Sequence, residues 1–156
     1  MSPGPTAAAD PQHHPASHTG HAPAKLILTG EHSVVYGHPA LAVAVDRWTS
    51  VRVRTLEPSH PTTVHSRDAA ASPTLERALG TLIPSTGHAV EITTEIPIGR
   101  GMGSSASLAL ATARAWMGLQ GMPADPVRVN EHVLAIERVF HGTPSCLLYT
   151  SPSPRD

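Results

Sequence analysis

The sequence predicts an α+β domain, and three neighbouring segments carry that prediction. Residues 88–96 alternate between polar and apolar side chains, which is typical of a strand with one buried face. Residues 104–117 are rich in Ala and Leu and contain neither Pro nor Gly, which indicates a helix. Gly99, Gly101 and Gly103 occupy alternate positions of the loop between them. A strand is therefore joined to a helix through a loop in which glycine is repeated.

Further strands are predicted upstream of this unit. Residues 22–37 comprise an apolar segment, a turn at Gly30 and a second short apolar segment, which indicates two strands around a turn. Residues 41–45 and residues 49–56 are predicted as two more strands because both are rich in β-branched or apolar side chains. A short edge strand is predicted near residues 62–65.

Two more helices are indicated by the residues at their starts. Ser72 followed by Pro73 predicts an N-cap and a first turn, and Asp125 followed by Pro126 predicts the same arrangement for the last helix. The apolar stripes of these helices are Leu75, Leu79 and Leu82 in the first, and Val129, Val133, Ile136 and Phe140 in the second. Glu137 lies at the border of the second stripe.

Composition excludes several classes of protein. The chain has 156 residues, enough for one domain with a modest core. Its 11 Lys and Arg balance 12 Asp and Glu, so no charged surface for nucleic acid or membrane is predicted. The single cysteine, Cys146, excludes an intrachain disulfide. No apolar run approaches the roughly 18 residues of a membrane span, and the N-terminus lacks a signal-peptide pattern. We therefore predict a cytoplasmic protein.

Residues 1–21 are predicted to form a disordered leader. They are rich in Pro, Ala and His and show no periodicity, so they can bury little apolar surface. The leader contains His13, His14, His18 and His21. No carboxylate or cysteine framework accompanies these histidines, and we interpret any metal binding by them as adventitious.

The glycine loop at residues 99–103 has the chemistry of a phosphate site. Glycine allows positive φ and close approach of a ligand, and a helix that starts directly after it offers N–H groups and a positive dipole end. Ser104 and Ser105 add hydroxyls that could cap the helix or reach a phosphate-bound Mg²⁺. The glycine spacing fits neither of the common dinucleotide and nucleotide fingerprints. An ordinary tight turn with serine caps is the alternative interpretation.

The loop resembles the phosphate loop of the GHMP small-molecule kinases, which include galactokinase, homoserine kinase, mevalonate kinase and phosphomevalonate kinase. The shared pattern is Pro97-x-Gly99-x-Gly101-x-Gly103-Ser104-Ser105-Ala106. The resemblance implies the N-terminal domain of these kinases (ribosomal protein S5 domain 2-like), with a mostly antiparallel sheet and helices on one side. It implies ATP and Mg²⁺ as cofactors. The implied ATP-binding residues are Gly99, Gly101, Met102, Gly103, Ser104, Ser105 and Ala106, and Ser105 is also an implied Mg²⁺ ligand. Arg100 is interpreted as a solvent-facing loop residue.

A second motif contains Lys25, Glu31 and His32. By residue type alone, these are a solvated lysine, an edge glutamate and a turn histidine. The pattern Ala-Pro-Ala-Lys-x-x-x-x-Gly-Glu-His-x-Val-Val-x-Gly at residues 22–37 is, however, similar to the first motif of mevalonate kinases. Galactokinases have an aspartate where this chain has Val34, and phosphomevalonate kinases usually have tyrosine in place of the histidine. The resemblance implies that Lys25 lowers the pKa of the acceptor hydroxyl and that Glu31 and His32 orient the substrate.

A third motif, Glu-Arg-x-x-His-Gly-x-Pro-Ser, occupies residues 137–145. A surface glutamate and a helix stop are the structural alternatives. In mevalonate kinases this run supplies a Mg²⁺-binding glutamate, here Glu137, and a substrate loop, here ending at Ser145. The family then continues with Gly-x-Asp, in which the aspartate is the proposed catalytic base, and with a second domain that closes over the substrate. In this chain the position of that aspartate is taken by Leu148. We predict that residues 22–145 are an incomplete GHMP-kinase N-terminal ATP-binding domain. The tail 146–156 is predicted to be artefactual.

The activity implied by these resemblances is ATP-dependent phosphorylation of mevalonate to 5-phosphomevalonate in isoprenoid precursor synthesis. Leu148 leads us to expect that the chain as given is inactive. A kinase for another small alcohol such as phosphomevalonate, or a non-catalytic nucleotide-binding fragment, are the alternatives. The expected partner is small-molecule mevalonate, and a homodimer is considered for the full-length protein.

Overall fold

A computed structural model describes residues 16–30, 32, 36–67 and 72–142 of the chain. These described residues contain four strands and three helices. Their order is β1 (Ser17–Thr29), β2 (Leu41–Thr55), β3 (Thr63–Ser66), α1 (Pro73–Leu79), β4 (His88–Thr94), α2 (Ser104–Leu119) and α3 (Pro126–His141). None of the helices in these ranges is long and apolar enough to cross a membrane.

The four strands form one sheet in the order β1-β2-β4-β3. Strand β2 pairs antiparallel with both β1 and β4, whereas β3 pairs parallel with β4. The predicted α+β class with a mostly antiparallel sheet is confirmed. The edge strand expected near residues 62–65 is present as β3, one residue further along the chain.

The predicted division of this region into two strands is wrong. Residues 41–45 and 49–56 were expected to be two strands, but Leu41–Thr55 is continuous. The pairing register shifts between Pro23 and Ala24, so β1 and β2 stay paired on both sides of an irregularity. The chain thus bends locally without ending the strand, as a β-bulge does. The second short strand expected before residue 37 falls largely on residues 33–35, outside the described residues.

Strand β1 begins at Ser17, so the prediction of a disordered leader is wrong for residues 17–21. The physical reason is close packing by α2. A Cβ added to Gly20 would overlap the backbone of Ala111 and Ala115, so only glycine permits this approach. His21 hydrogen-bonds through Nδ1 to Ser50 Oγ at 2.8 Å. Residues 1–15, including two of the leader histidines, lie outside the described residues.

The core lies on one face of the sheet. Thr49, Val51 and Val53 of β2 are buried beneath the helices, whereas Arg52 points to the opposite face. Helix α2 packs on β1 and β2, and α3 packs on α2 and α1. This arrangement places the start of α2 and the end of α3 at the same end of the domain.

Helices α1 and α3 begin as predicted. The Ser72 side chain accepts a hydrogen bond from the Leu75 N–H at 3.2 Å, and Pro73 opens α1. The Asp125 carboxylate accepts one from the Arg128 N–H at 3.2 Å. Both helices therefore have a side-chain N-cap followed by proline.

Candidate functional site

A cleft of about 780 Å³ lies where the glycine loop, the start of α2 and the end of α3 meet the sheet. Most of the residues predicted for the site line it: Lys25, Gly99, Gly101, Gly103, Ser104, Ser105, Ala106 and Glu137. Three separate sequence motifs therefore contribute to one cavity.

The glycine loop ends in an unusual helix start. Gly99, Gly101 and Gly103 have φ values of +74°, +74° and +68°. Gly103 is the N-cap residue of α2 and has no side chain that could accept a hydrogen bond from the first turn. Ser104 and Ser105 stand inside the helix, which excludes the alternative that they are its N-cap. The first residues of α2, whose N–H groups lack partners within the helix, line the cleft.

Lys25 connects β1 to this loop. Its backbone N–H donates to the Met102 carbonyl oxygen at 3.2 Å. A Cβ added to Gly103 would lie 2.7 Å from Lys25 Cγ, so the lysine stem rests directly against the helix start. Met102 contributes this backbone carbonyl and is not among the residues that line the cleft. The first and second motifs are thus joined by a backbone hydrogen bond and by side-chain packing.

Helix α2 is also fixed to β1 one turn further along. Ser107 is fully buried, and its Oγ donates to the Ala22 carbonyl oxygen at 2.9 Å. Together with the close approach at Gly20, this bond sets the position of the α2 N-terminus relative to Lys25. The cleft wall is therefore built on rigid elements, which favours a preorganised site.

Helix α3 brings its last two turns to the cleft. Glu137 is only 5% exposed and lines the cavity together with Phe140 and His141. The Ser105 Oγ and His141 Nε2 atoms lie 2.9 Å apart, within hydrogen-bond distance. His141 was identified from the sequence only as a member of the third motif and of a helix stop, with no role of its own. Its spacing of four residues from Glu137, which places both on one helix face, was the available signal.

The sheet side of the cleft was also missed. It is formed by apolar and hydroxyl side chains from several strands and helices, among them Ile27, Thr49, Ile92, Thr94 and Leu108. The Oγ1 atoms of Thr49 and Thr94 are 2.8 Å apart and hydrogen-bonded. In the sequence these residues belong to ordinary strand and helix patterns, so nothing separated them from core residues.

Two of the described residues that were considered in the sequence analysis do not line this cavity. Glu31, Ser145 and Leu148 lie outside the described residues. His32 is exposed in a turn and is not among the cleft-lining side chains. Arg100 is exposed and also does not line the cleft, which agrees with its interpretation as a solvent-facing loop residue.

The oxygen donors in the cleft fit a divalent cation held together with phosphate. Ser105 supplies a hydroxyl and Glu137 a carboxylate, and Mg²⁺ prefers such hard oxygen ligands. Within the described ranges, no group of three or more His, Cys, Asp or Glu side chains could hold a metal by itself. Mg²⁺ usually keeps one or two protein ligands and completes its shell with water and substrate phosphates. The two donors found here match that requirement.

An α+β domain with an open helix N-terminus, a lysine and oxygen donors in one cleft defines a class of phosphate-handling domains. The chain belongs to the GHMP kinase family: residues 66–148 match the family described as GHMP kinases N terminal domain. The match extends three residues into the tail that was predicted to begin at residue 146. That boundary stays a prediction.

Two relatives to which the chain is similar are named mevalonate kinases. The protein from Pyrococcus abyssi is 35% identical over 151 residues, covering 80% of this chain and 45% of its own length. The protein from Thermococcus sibiricus is 32% identical over 151 residues, with the same two coverages. The chain thus spans about half the length of the curated relatives it matches.

Solved structures agree on the fold. Mevalonate kinase from methicillin-resistant Staphylococcus aureus MRSA252 has a TM-score of 0.65 at 29% identity, covering 83% of this chain and 48% of that one. Lactococcus lactis galactokinase, complexed with galactose, has a TM-score of 0.66 at 17% identity, covering 82% and 39%. The second likeness concerns the fold alone.

Proposed function

We propose that the cleft binds Mg·ATP and that the activity of the protein is transfer of the γ-phosphoryl group to the 5-hydroxyl of mevalonate. One observation carries the proposal: the N-terminus of α2, capped by Gly103, opens into a cleft that also contains Lys25 and Glu137. Phosphoryl transfer requires mainly positioning and neutralisation of charge. For that purpose the cleft provides the dipole of α2, the ammonium group of Lys25, and the side-chain oxygens of Ser105 and Glu137 as proposed metal ligands.

The glycine loop and α2 are proposed to hold the phosphates. Backbone N–H groups of Gly101, Gly103 and Ser104 are the donors, and the positive end of the α2 dipole favours the anion. Gly99 and Met102 are proposed to shape the loop, and Ala106 is proposed to contact the phosphates from the first turn of α2. The positive φ angles of the glycines support this role because they turn successive N–H groups towards one side, as in anion-binding nests.

Ser105 and Glu137 are proposed to hold Mg²⁺ with the phosphates. The ion supplies charge neutralisation for the transferring group when it is bound. Burial of Glu137 strengthens this role because a carboxylate out of water interacts more strongly with a cation than an exposed one does.

Lys25 is proposed to act at the acceptor hydroxyl. Its stem is held against Gly103, so its ammonium is restricted to the neighbourhood of the loop. A positive charge there stabilises the oxygen as its proton leaves. The proton acceptor in the family resemblance is an aspartate at the position of Leu148, and leucine cannot accept a proton.

Mevalonate is the proposed acceptor because the named relatives at 32–35% identity are mevalonate kinases. Glu31 and Ser145 are proposed to orient it, whereas the role that the resemblance implies for His32 stays a prediction, because this residue does not line the cleft. Leu148 favours a second candidate, a nucleotide-binding chain without turnover. Phosphomevalonate is the alternative substrate. We further expect a cytoplasmic location, no nucleic-acid or membrane partner, and a homodimer for the full-length protein.

Two measurements test the proposal. The first is calorimetric titration of the 156-residue chain with AMP-PNP, with and without Mg²⁺. Saturable, Mg²⁺-dependent binding supports the nucleotide site, and its absence contradicts it. The second uses a version in which the family Gly-x-Asp run and second domain follow Ser145. Mevalonate and phosphomevalonate are compared as acceptors, and preference for phosphomevalonate would overturn the assignment of substrate.

A further inference from the structure

His141 is a polar residue of the cleft to which the proposed function assigns no role. It is the last residue of α3, and its side chain lines the cleft beside Phe140. Its Nε2 lies 2.9 Å from the Ser105 Oγ, across 36 residues of sequence. The contact therefore joins the C-terminal end of one helix to the N-terminal turn of another.

We infer that His141 is a positioning residue for Ser105: it accepts the hydroxyl hydrogen and thereby turns the oxygen lone pairs towards the metal. The inference rests on the proposed function, in which Ser105 is a Mg²⁺ ligand. A serine hydroxyl has one hydrogen and two lone pairs. An oxygen that binds a cation must direct its hydrogen elsewhere. In the tautomer that carries hydrogen on Nδ1, the Nε2 atom of His141 is the acceptor for it.

The position of Ser105 explains why it needs such a partner. At the second position of α2, it is not the N-cap and is not held by the helix end. A half-buried serine without a fixed partner can still rotate among its rotamers. The hydrogen bond to His141 selects one of them before a ligand arrives, which lowers the entropy cost of binding.

Glu137 is the neighbour of His141 along α3. It precedes His141 by four residues, so the two side chains lie on one face of α3, one turn apart. One turn of α3 therefore supplies Glu137, a proposed metal ligand, and His141, the group that orients the other proposed ligand, Ser105. Partners that orient ligands in this way typically change metal affinity by about 10- to 100-fold when they are removed.

The test compares His141→Leu with His141→Gln in the 156-residue chain. The readout is the Mg²⁺ concentration for half-maximal AMP-PNP binding, measured by calorimetry. We expect His141→Leu to raise that concentration about 10- to 100-fold. His141→Gln keeps an acceptor at similar reach and should restore it to within about threefold of wild type. AMP-PNP binding in EDTA should be the same in all three proteins.

Two controls make the result specific. His132 lies on the same helix but does not line the cleft, so His132→Leu should leave the Mg²⁺ requirement unchanged. In a Ser105→Ala background, His141→Leu should have no further effect, because the positioned oxygen is already absent. A full additional loss in that background would overturn the inference.

Failure of the inference can be told apart from failure of the proposed function. If wild type binds Mg·AMP-PNP normally and His141→Leu does not change the Mg²⁺ requirement, the inference alone is wrong. An equal loss of binding with and without Mg²⁺ also overturns it, because it indicates a general structural role. If wild type binds no nucleotide, both the inference and the proposed nucleotide site are contradicted.

Discussion

The N-termini of α2 and α3 differ although the two helices have the same length of 16 residues. Helix α3 begins with Asp125, whose carboxylate accepts a hydrogen bond from the first turn, followed by proline. Helix α2 begins with Gly103 at φ +68°, followed by two serines. At a helix N-terminus with a purely structural role, the side chain of the N-cap residue accepts a hydrogen bond from the first turn. The start of α2 gives up that stabilisation and opens towards the cleft, as expected of a site for an external anion.

The largest effect is expected at Gly103. Replacing it by alanine introduces a Cβ at positive φ and places that atom 2.7 Å from Lys25 Cγ. We expect Mg·AMP-PNP affinity to fall on the order of 1,000-fold, the upper end of the loss expected for one preorganised donor. Gly121→Ala is the matched control, because Gly121 also has positive φ (+65°) but open space around it. Equal loss of affinity in both variants would show that backbone strain alone is responsible.

Ser105→Ala is expected to have the next largest effect, in a version with the family Gly-x-Asp run and second domain after Ser145. Loss of a metal ligand should cost about 2–4 kcal/mol of transition-state stabilisation, seen mainly in kcat. Mevalonate binding should change little, because the substrate pocket is left intact. Steady-state kinetics measure both quantities. A variant that melts lower but turns over normally would refute the metal role.

Ser107→Ala is the structural counterpart of that change. Its Oγ is buried and donates to the Ala22 carbonyl oxygen, so the substitution removes a buried hydrogen bond between α2 and β1. The free energy of unfolding should fall by about 1–3 kcal/mol. Urea denaturation measures this loss, and kcat should be unchanged. Lower kcat at unchanged stability would mean that the division between chemistry and scaffold along α2 is wrong.

The smallest effect is expected at the α3 start. Asp125→Ala removes a side-chain cap and should lower the free energy of unfolding by about 1 kcal/mol. Nucleotide affinity should stay within twofold of wild type, because this end of α3 contributes no residue to the cleft lining. Thermal melting and calorimetry on the same sample test both halves. A large loss of affinity would remove the contrast between the two helix starts.

Local patterns in the sequence predicted the elements whose ends are set by local chemistry. Ser72 and Asp125 cap their helices as expected, since a cap depends on residues within one turn. The glycine loop and the helix after it were also predicted from adjacent residues. Lys25 joined the site through a resemblance, and its hydrogen bond to Met102 supplies the physical link.

The features that were missed depend on contacts between distant segments. Ser17–His21 has few strand-forming residues, and it is ordered because α2 packs closely against Gly20. The contact between Ser105 and His141 exists only because α3 packs on α2. A pattern along the chain contains no information about such pairings unless the packing of the helices is already known.

Backbone amide chemical shifts of the 156-residue chain, recorded during titration with Mg·AMP-PNP, test the central claim most directly. We predict the largest changes at Gly101, Gly103 and Ser104, whose N–H groups are the proposed phosphate donors. The amides of Val127 and Arg128 at the start of α3 should stay unchanged. Saturating nucleotide without changes at the α2 start, or equal changes at both helix starts, would contradict the claim.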